Sequence, residues 1–165
     1  MEIVIILGLI FFNGILSMSE IAMVSARKSR LVTAAKKGSK TAKTALRLAN
    51  EPDRFLSTIQ IGITLIGILT GLYSGEALAG DLARWLETIG IPQAHSLTLA
   101  KGIIVILVTY LTLILGELVP KHLGMNAPEK IARLIARPME VLSKIASPFV
   151  WLLSASTQAV IRLTG

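Results

Sequence analysis

Three long apolar stretches constrain what this chain can fold into. They run from Ile3 to Val24, from Phe55 to Ala79 and from Leu97 to Val119. A helix needs about 20 mainly apolar residues to cross a hydrocarbon core of about 30 Å, so each stretch is long enough to span a membrane. The sequence therefore predicts an all-α membrane protein with three transmembrane helices.

The composition agrees with this class and argues against others. The hydrophobic fraction of 53% and the mean hydropathy of +0.69 are too high for a solvated globular surface. A cleaved secretory signal would begin with basic residues, but no lysine or arginine precedes Arg27. Without cysteine, the chain has no thiol catalysis, Cys-ligated zinc or disulfides.

Enzymatic activity and nucleic-acid binding are not expected. The sequence has no GxSxG, HExxH or P-loop motif. Its 17 basic residues outnumber its 10 acidic ones, but they cluster between the apolar stretches and lack the interleaved aromatic residues that stack on bases.

The basic residues also predict how the chain is oriented. The segment from Arg27 to Arg54 holds nine lysines and arginines, whereas the connector from Gly80 to Ser96 holds only Arg84. Short connectors rich in these residues stay in the cytoplasm. We therefore expect a multi-pass protein of the inner (plasma) membrane, with its N-terminus outside and its C-terminus cytoplasmic.

Two further segments have helical patterns without being spans. The stretch from Ser29 to Asn50 alternates apolar residues with lysines, which is typical of a basic amphipathic helix or hairpin on lipid headgroups, or of a solvated charged face. Residues 127–163 are apolar but contain charges and prolines, and we expect them to form an interfacial helix or belt along the inner surface, anchored by Trp151. The alternative is a fourth span from Ile145 to Leu163.

Polar residues within the spans are candidates for function, because an ionisable group is costly there. Asn13, Ser17 and Glu20 are spaced i, i+4, i+7 and so share one face of the first span. In the second span Gln60, Thr64 and Gly67 have the same spacing. Thr64 either offers an oxygen to a ligand or bonds its own helix backbone.

The motif GELVPK, at the end of the third span, combines a carboxylate with a proline. Pro120 has no N–H, so it cannot bond the carbonyl of Gly116, which then lies free beside Glu117. Carbonyl, carboxylate and hydroxyl oxygens suit a hard cation such as Mg²⁺ or Na⁺. The alternative for Glu117 is an ion pair with Lys121, one turn later.

Four separated stretches resemble the transmembrane domain of the CorC and CNNM family of magnesium transport proteins, which includes hemolysin-related membrane proteins. They are SMSEIAMVSARKSRL at 17–31, DRFLSTIQIGITLIGILTG at 53–71, GELVPKHL at 116–123 and ARPMEVLSKIASPFVWLL at 136–153. The resemblance runs from about Ile10 to Trp151. It implies a homodimer in the lipid bilayer, with an inner juxtamembrane belt.

The resemblance also implies a cation site in each protomer. Ser17 and Glu117 match residues that the family uses for the ion, and Gly116 matches the backbone beside the proline kink. Where the family often has asparagines, this chain has Ile63, Thr64 and Gly67.

The expected function is Mg²⁺ transport, as Na⁺-coupled efflux. The expected ion site comprises Ser17, Glu20, Thr64, Gly116 and Glu117. The alternative is an ion-sensing membrane anchor without transport. The family's nucleotide-binding CBS domains are expected to lie outside this chain, which would be the membrane domain over residues 1–165.

Overall fold

The computed structural model describes residues 1–164, and of their side chains all but those of Glu76, Ala77 and Thr164. Gly165, the last residue of the predicted domain, lies outside the described residues. The described chain is almost entirely helical and contains no strand. The described residues form eight α-helices and one π-helical turn, which joins α6 to α7. In chain order they are α1 (Glu2–Ser25), α2 (Lys28–Lys36), α3 (Lys40–Asn50), α4 (Pro52–Ala77), α5 (Ala79–Thr88), α6 (Gln93–Leu113), the π turn (Ile114–Leu118), α7 (Val119–Asn126) and α8 (Pro128–Thr164).

Three helical stretches of the described chain are long and apolar enough to cross a membrane, namely Glu2–Ser25, Pro52–Thr88 and Gln93–Asn126. They contain the three predicted spans, so the predicted fold class is confirmed. The third span is not one uniform helix, because the π turn separates α6 from α7.

The chain divides into two compact units. The first unit comprises residues 1–18 and 63–122. Its core consists of apolar side chains from α1, α5 and α6, which are Ile6, Ile10, Ala79, Ile104 and Val108. Ala83, Leu86 and Ala100 form a smaller cluster where α5 packs on α6.

The second unit comprises residues 19–62 together with the chain from Leu123 onward. In it α2 packs on α3, and α3 packs on α8. The buried positions of α3 are Ala42, Ala45, Leu48 and Ala49. Small side chains on this face let the helices approach closely, while the lysines of the same helix remain exposed.

The C-terminal segment is one continuous helix of 37 residues, which covers the residues of the predicted belt. Pro128 is its first residue, a position where the missing N–H costs nothing because no carbonyl precedes it in the helix. Pro138 and Pro148 lie inside the helix with their rings exposed. Burial of a long apolar face, including Ala132, Ala136 and Met139, offsets the backbone hydrogen bonds that these prolines remove.

Candidate cation site

The π turn is the local irregularity around which the candidate site is built. The N–H of Val119 bonds the carbonyl of Ile114, five residues back instead of four. Pro120 follows directly and supplies no N–H. Single π turns inside α-helices widen the backbone ladder and occur often at functional sites. The turn therefore lies where the sequence predicted a break in the helix.

The carbonyl of Gly116 is reached by a side chain of α1. Nδ2 of Asn13 donates a hydrogen bond to this oxygen at 3.0 Å, in a buried position. The sequence predicted that Pro120 frees this carbonyl, and in this conformation the Asn13 amide takes up the acceptor. A carbonyl oxygen has a second lone pair, so the bond leaves it able to accept again.

Two glycines allow α1 and the π turn to touch through their backbones. A Cβ on Gly14 would lie 2.9 Å from Cγ of Pro120 and 3.2 Å from the carbonyl oxygen of Leu115. A Cβ on Gly116 would lie 3.2 Å from the carbonyl oxygen of Ile10. No side chain fits at either place without movement, so this contact sets the distance between Asn13 and the π turn.

Four buried side-chain oxygens of the first unit have no hydrogen-bond partner among the described residues. They are Oδ1 of Asn13, Oγ of Ser17, Oγ1 of Thr70 and Oγ1 of Thr112. Asn13 is 4% exposed, Ser17 0% and Thr70 3%, so bulk water does not satisfy them. Each such atom costs about 1–3 kcal/mol when left unbonded, which makes the group a reservoir of unused ligating capacity.

Ser17 lies one helical turn after Asn13, on the same side of α1. This pair therefore presents two free oxygens from the face that contacts the π turn. Their neighbour Gly116 adds a backbone oxygen. All three are uncharged and hard, which suits a cation that exchanges water for protein oxygens.

The two threonines line a groove between α4 and α6. The groove has a volume of about 180 Å³ and is lined by Gly67, Thr70, Gly71, Ser74, Val105, Val108, Thr109, Thr112 and Leu113. Oγ of Ser74 donates to the carbonyl of Gly71 at 3.1 Å. Hydroxyl groups thus face the groove from both helices, and apolar side chains fill the rest of its wall.

Nζ of Lys121 donates a hydrogen bond to Oε1 of Glu117 at 2.7 Å. This ion pair is the alternative role that the sequence offers for Glu117. Its side chain is 39% exposed. Among the residues that the structure describes, no three histidines, cysteines or acids come close enough together to hold a metal ion. A cation in this unit would meet mainly neutral oxygens, with Glu117 as the nearby carboxylate in the chain.

The residues of the predicted site divide between the two units. Ser17, Gly116 and Glu117 belong to the first unit, and α1 contacts Gly116 through Asn13, one turn before Ser17. Thr64 belongs to the same unit, but its side chain is exposed. Glu20 is half-buried and belongs to the second unit.

Two features of the site were missed by reasoning from the sequence. The buried hydroxyl of Thr70 lies six residues after Thr64, and the i, i+4, i+7 pattern that singled out Thr64 passes over it. The close approach at Gly14 has no local signal, since it depends on Pro120, which lies more than a hundred residues later in the chain.

Comparison with known proteins finds a matching family model and several similar sequences. Residues 4–165 match the family model described as the Cyclin M transmembrane N-terminal domain. The chain is 47% identical over 165 residues to UPF0053 protein sll0260 of Synechocystis, covering all of this chain and 37% of that protein. It is 31% identical over 164 residues to UPF0053 protein YhdT of Bacillus subtilis, covering 99% of this chain and 36% of that protein.

A third relative has a name that refers to transport. The chain is 30% identical over 162 residues to the Polyamine export protein of Escherichia coli, covering 98% of this chain and 36% of that protein. The chain thus spans little more than a third of the length of these curated relatives.

Proposed function

Because the chain belongs to the Cyclin M transmembrane domain family, we propose that it is the membrane domain of a transporter that moves Mg²⁺ across the membrane. The observation that carries this proposal is the set of unbonded buried oxygens in the first unit. Each of these oxygens would gain a partner from a bound cation, which would offset the cost of burying it unbonded.

The contact between Asn13 and Gly116 has dimensions that suit Mg²⁺. The amide group of Asn13 presents an oxygen in place of its nitrogen after half a turn about its last side-chain bond. Oδ1 and the Gly116 oxygen would then lie about as far apart as the present 3.0 Å contact. Two oxygens on one edge of a Mg²⁺ octahedron, each about 2.1 Å from the ion, are separated by about 3.0 Å.

Ser17 and Glu117 complete the proposed site. Ser17 adds its free hydroxyl from the next turn of α1. Glu117 supplies the negative charge that a dehydrated divalent ion requires, once it exchanges Lys121 for the ion. Thr64, whose side chain is exposed, would join only in another conformation, which agrees with alternating access in transporters whose helices are interrupted near the site.

We propose that the groove between α4 and α6 is part of the path along which the ion moves. Its hydroxyls would replace part of the hydration shell of an ion that moves along the first unit. Coupling to Na⁺ and outward direction are part of the proposal. Na⁺ is bound well by neutral oxygens, and one relative is named for export.

A second candidate function is supported by the same groove. The relative from Escherichia coli is named Polyamine export protein, and an alkylammonium cation would place N–H donors on hydroxyl oxygens and methylene groups on glycine and valine. The third candidate is an ion-sensing anchor, in which the ion only stabilises a dimer and regulates CBS domains outside this chain.

Ion flux into proteoliposomes tests the proposal. We expect the purified chain to move Mg²⁺ into vesicles that contain a magnesium indicator, and Ser17→Ala to reduce the flux about tenfold, as loss of one ligand would. Ser156→Ala is the matched control, because its exposed hydroxyl only bonds its own helix at the Leu152 carbonyl. Mg²⁺ binding without any flux would favour the anchor, and flux of spermidine alone would favour the organic cation.

A further inference from the structure

The segment that links the first two spans carries an unusual density of positive charge. Residues 21–50 contain no aspartate or glutamate and eight basic residues, which are Arg27, Lys28, Arg30, Lys36, Lys37, Lys40, Lys43 and Arg47. We call α2 and α3 with their connecting turn the basic hairpin (residues 28–50). It lies entirely in the second unit.

Only two of these cations have acidic partners within the second unit. Arg30 lies 3.6 Å from Glu129, and Arg47 pairs with Glu140, so both contacts run to α8. The other six are exposed and make no ion pair among the described residues. This concentration of like charge costs free energy unless anions lie nearby.

The packing of the basic hairpin buries its apolar positions and leaves its cations exposed. Leu31 and Ala35 of α2 are buried, as are four apolar positions of α3. Gly38 turns the chain with φ +91°, and Oγ of Ser39 accepts a hydrogen bond from the N–H of Ala42 at 3.2 Å. The hairpin is thus held by its buried apolar positions, and its lysines lie on the exposed surface.

The second unit also contains the ends of two spans, which define the level of the membrane surface. α1 ends at Ser25, two residues before Arg27. At the start of α4, Oγ1 of Thr58 lies 3.4 Å from Oγ of Ser143, and Arg54 donates to Ser147 at 3.3 Å. The middle of α8 therefore lies beside the first turns of a spanning helix, where that helix leaves the hydrocarbon.

The outer side of α8 is apolar although nothing in the second unit covers it. Leu134, Val141, Ile145 and Leu152 are spaced i, i+7, i+11, i+18 and so share one side of the helix. All four are exposed, Leu134 by 75%. A row of basic side chains flanks this side, namely Lys130, Arg133, Arg137 and Lys144. A long helix with an apolar side and basic flanks is typical of one that lies in the plane of the bilayer surface.

We propose that the basic hairpin binds the phosphate headgroups of anionic phospholipids, on the membrane face where α8 lies in the interface. The charge density supplies the attraction, and the position next to two span ends brings it within reach of the headgroups. Lipid fits better than a soluble phosphate compound, because the apolar side of α8 at the same level needs hydrocarbon. This inference stands apart from the ion site and does not depend on transport.

Thermal unfolding of the full chain in neutral detergent tests the inference. We expect added phosphatidylglycerol to raise the melting temperature more than phosphatidylcholine does. The difference should shrink by more than half in Lys36→Gln/Lys37→Gln and return in Lys36→Arg/Lys37→Arg. The matched control is Arg84→Gln/Lys101→Gln, which removes two positive charges from exposed positions of α5 and α6.

Native mass spectrometry of the same variants counts the anionic lipids that each retains. It gives a second readout if a variant unfolds at a different temperature for other reasons. We expect fewer retained phosphatidylglycerol molecules for the Lys36/Lys37 pair than for the control pair. Equal losses in both pairs would overturn the inference, since net charge alone would then be responsible. Equal stabilisation by inorganic pyrophosphate would overturn it too, in favour of a soluble anion.

Discussion

Nδ2 of Asn13 donates to the carbonyl oxygen of Gly116 at 3.0 Å, and so joins two residues that lie 103 positions apart in the chain. The bond connects the face of α1 that also carries Ser17 to the one π turn among the described residues. It satisfies an oxygen that sits where Pro120 interrupts the helix ladder. In the proposed transport cycle this bond is made when the ion is absent.

Replacing Asn13 tests this relationship. Asn13→Leu keeps the branching of the side chain, although leucine is larger, and removes the donor, so the buried Gly116 carbonyl loses its partner. We expect the free energy of unfolding to fall by about 1–3 kcal/mol, measured by thermal or denaturant unfolding in detergent. Asn50→Leu is a control at the exposed end of α3. An unchanged stability would mean that the carbonyl finds another donor.

Gly14→Ala should be destabilising because its Cβ would overlap the ring of Pro120 and approach the Leu115 carbonyl. We expect a loss of about 1–3 kcal/mol, which is typical of overpacking. Gly8→Ala in the same helix has nothing within 4 Å and should be neutral or slightly stabilising. Combining Gly14→Ala with Pro120→Ala removes the ring carbon and should recover part of the loss, whereas a double variant whose stability change equals the sum of the two single changes would contradict the contact.

The sequence predicted those features that depend on composition and local spacing. The three spans follow from apolar length, and the irregularity at Gly116 follows from Pro120, because a missing N–H acts on its own helix. The partner of the Gly116 carbonyl could not be predicted, since it depends on how closely α1 approaches. Asn13 was placed on the correct face of α1 without its contact being foreseen.

The continuous helix α8 shows that tertiary packing can outweigh a local sequence signal. Its two internal prolines do not interrupt it, because side-chain burial along one face outweighs two lost hydrogen bonds. Likewise, the i, i+4, i+7 pattern favoured Thr64, whereas the structure buries Thr70. Which side of an apolar helix is covered cannot be read from a span whose every side is hydrophobic.

The orientation of the chain remains a prediction from its basic residues, and the absence of cysteine makes it easy to test. Single cysteines at Lys37 and at Gln93 would occupy exposed positions. In intact cells we expect an impermeant thiol reagent to label the cysteine at 93 and to spare the one at 37 until the membrane is permeabilised. The reverse pattern would invert the predicted topology.

Pro120→Ala should shift the balance between ion-free and ion-bound states. It restores an N–H close to the π turn, which then competes with the ion for a backbone oxygen. We expect the ion-free protein to melt at a higher temperature and the additional stabilisation by Mg²⁺ to become smaller. Pro148→Ala, in the exposed part of α8, should change the melting temperature of the ion-free protein without changing the additional stabilisation by Mg²⁺.

Glu117 and Lys121 should have opposite effects on ion binding, because the ion and the ammonium group compete for one carboxylate. Glu117→Gln keeps the shape of the side chain but removes its charge, and we expect it to abolish Mg²⁺-dependent thermal stabilisation and Mg²⁺ flux. Lys121→Met removes the competitor and should lower the Mg²⁺ concentration needed for half of the stabilisation. If the ion pair were purely structural, both substitutions would instead lower stability alike and leave the response to Mg²⁺ unchanged. In that case the search for the site would move to Asn13 and Ser17, whose free oxygens do not depend on Glu117.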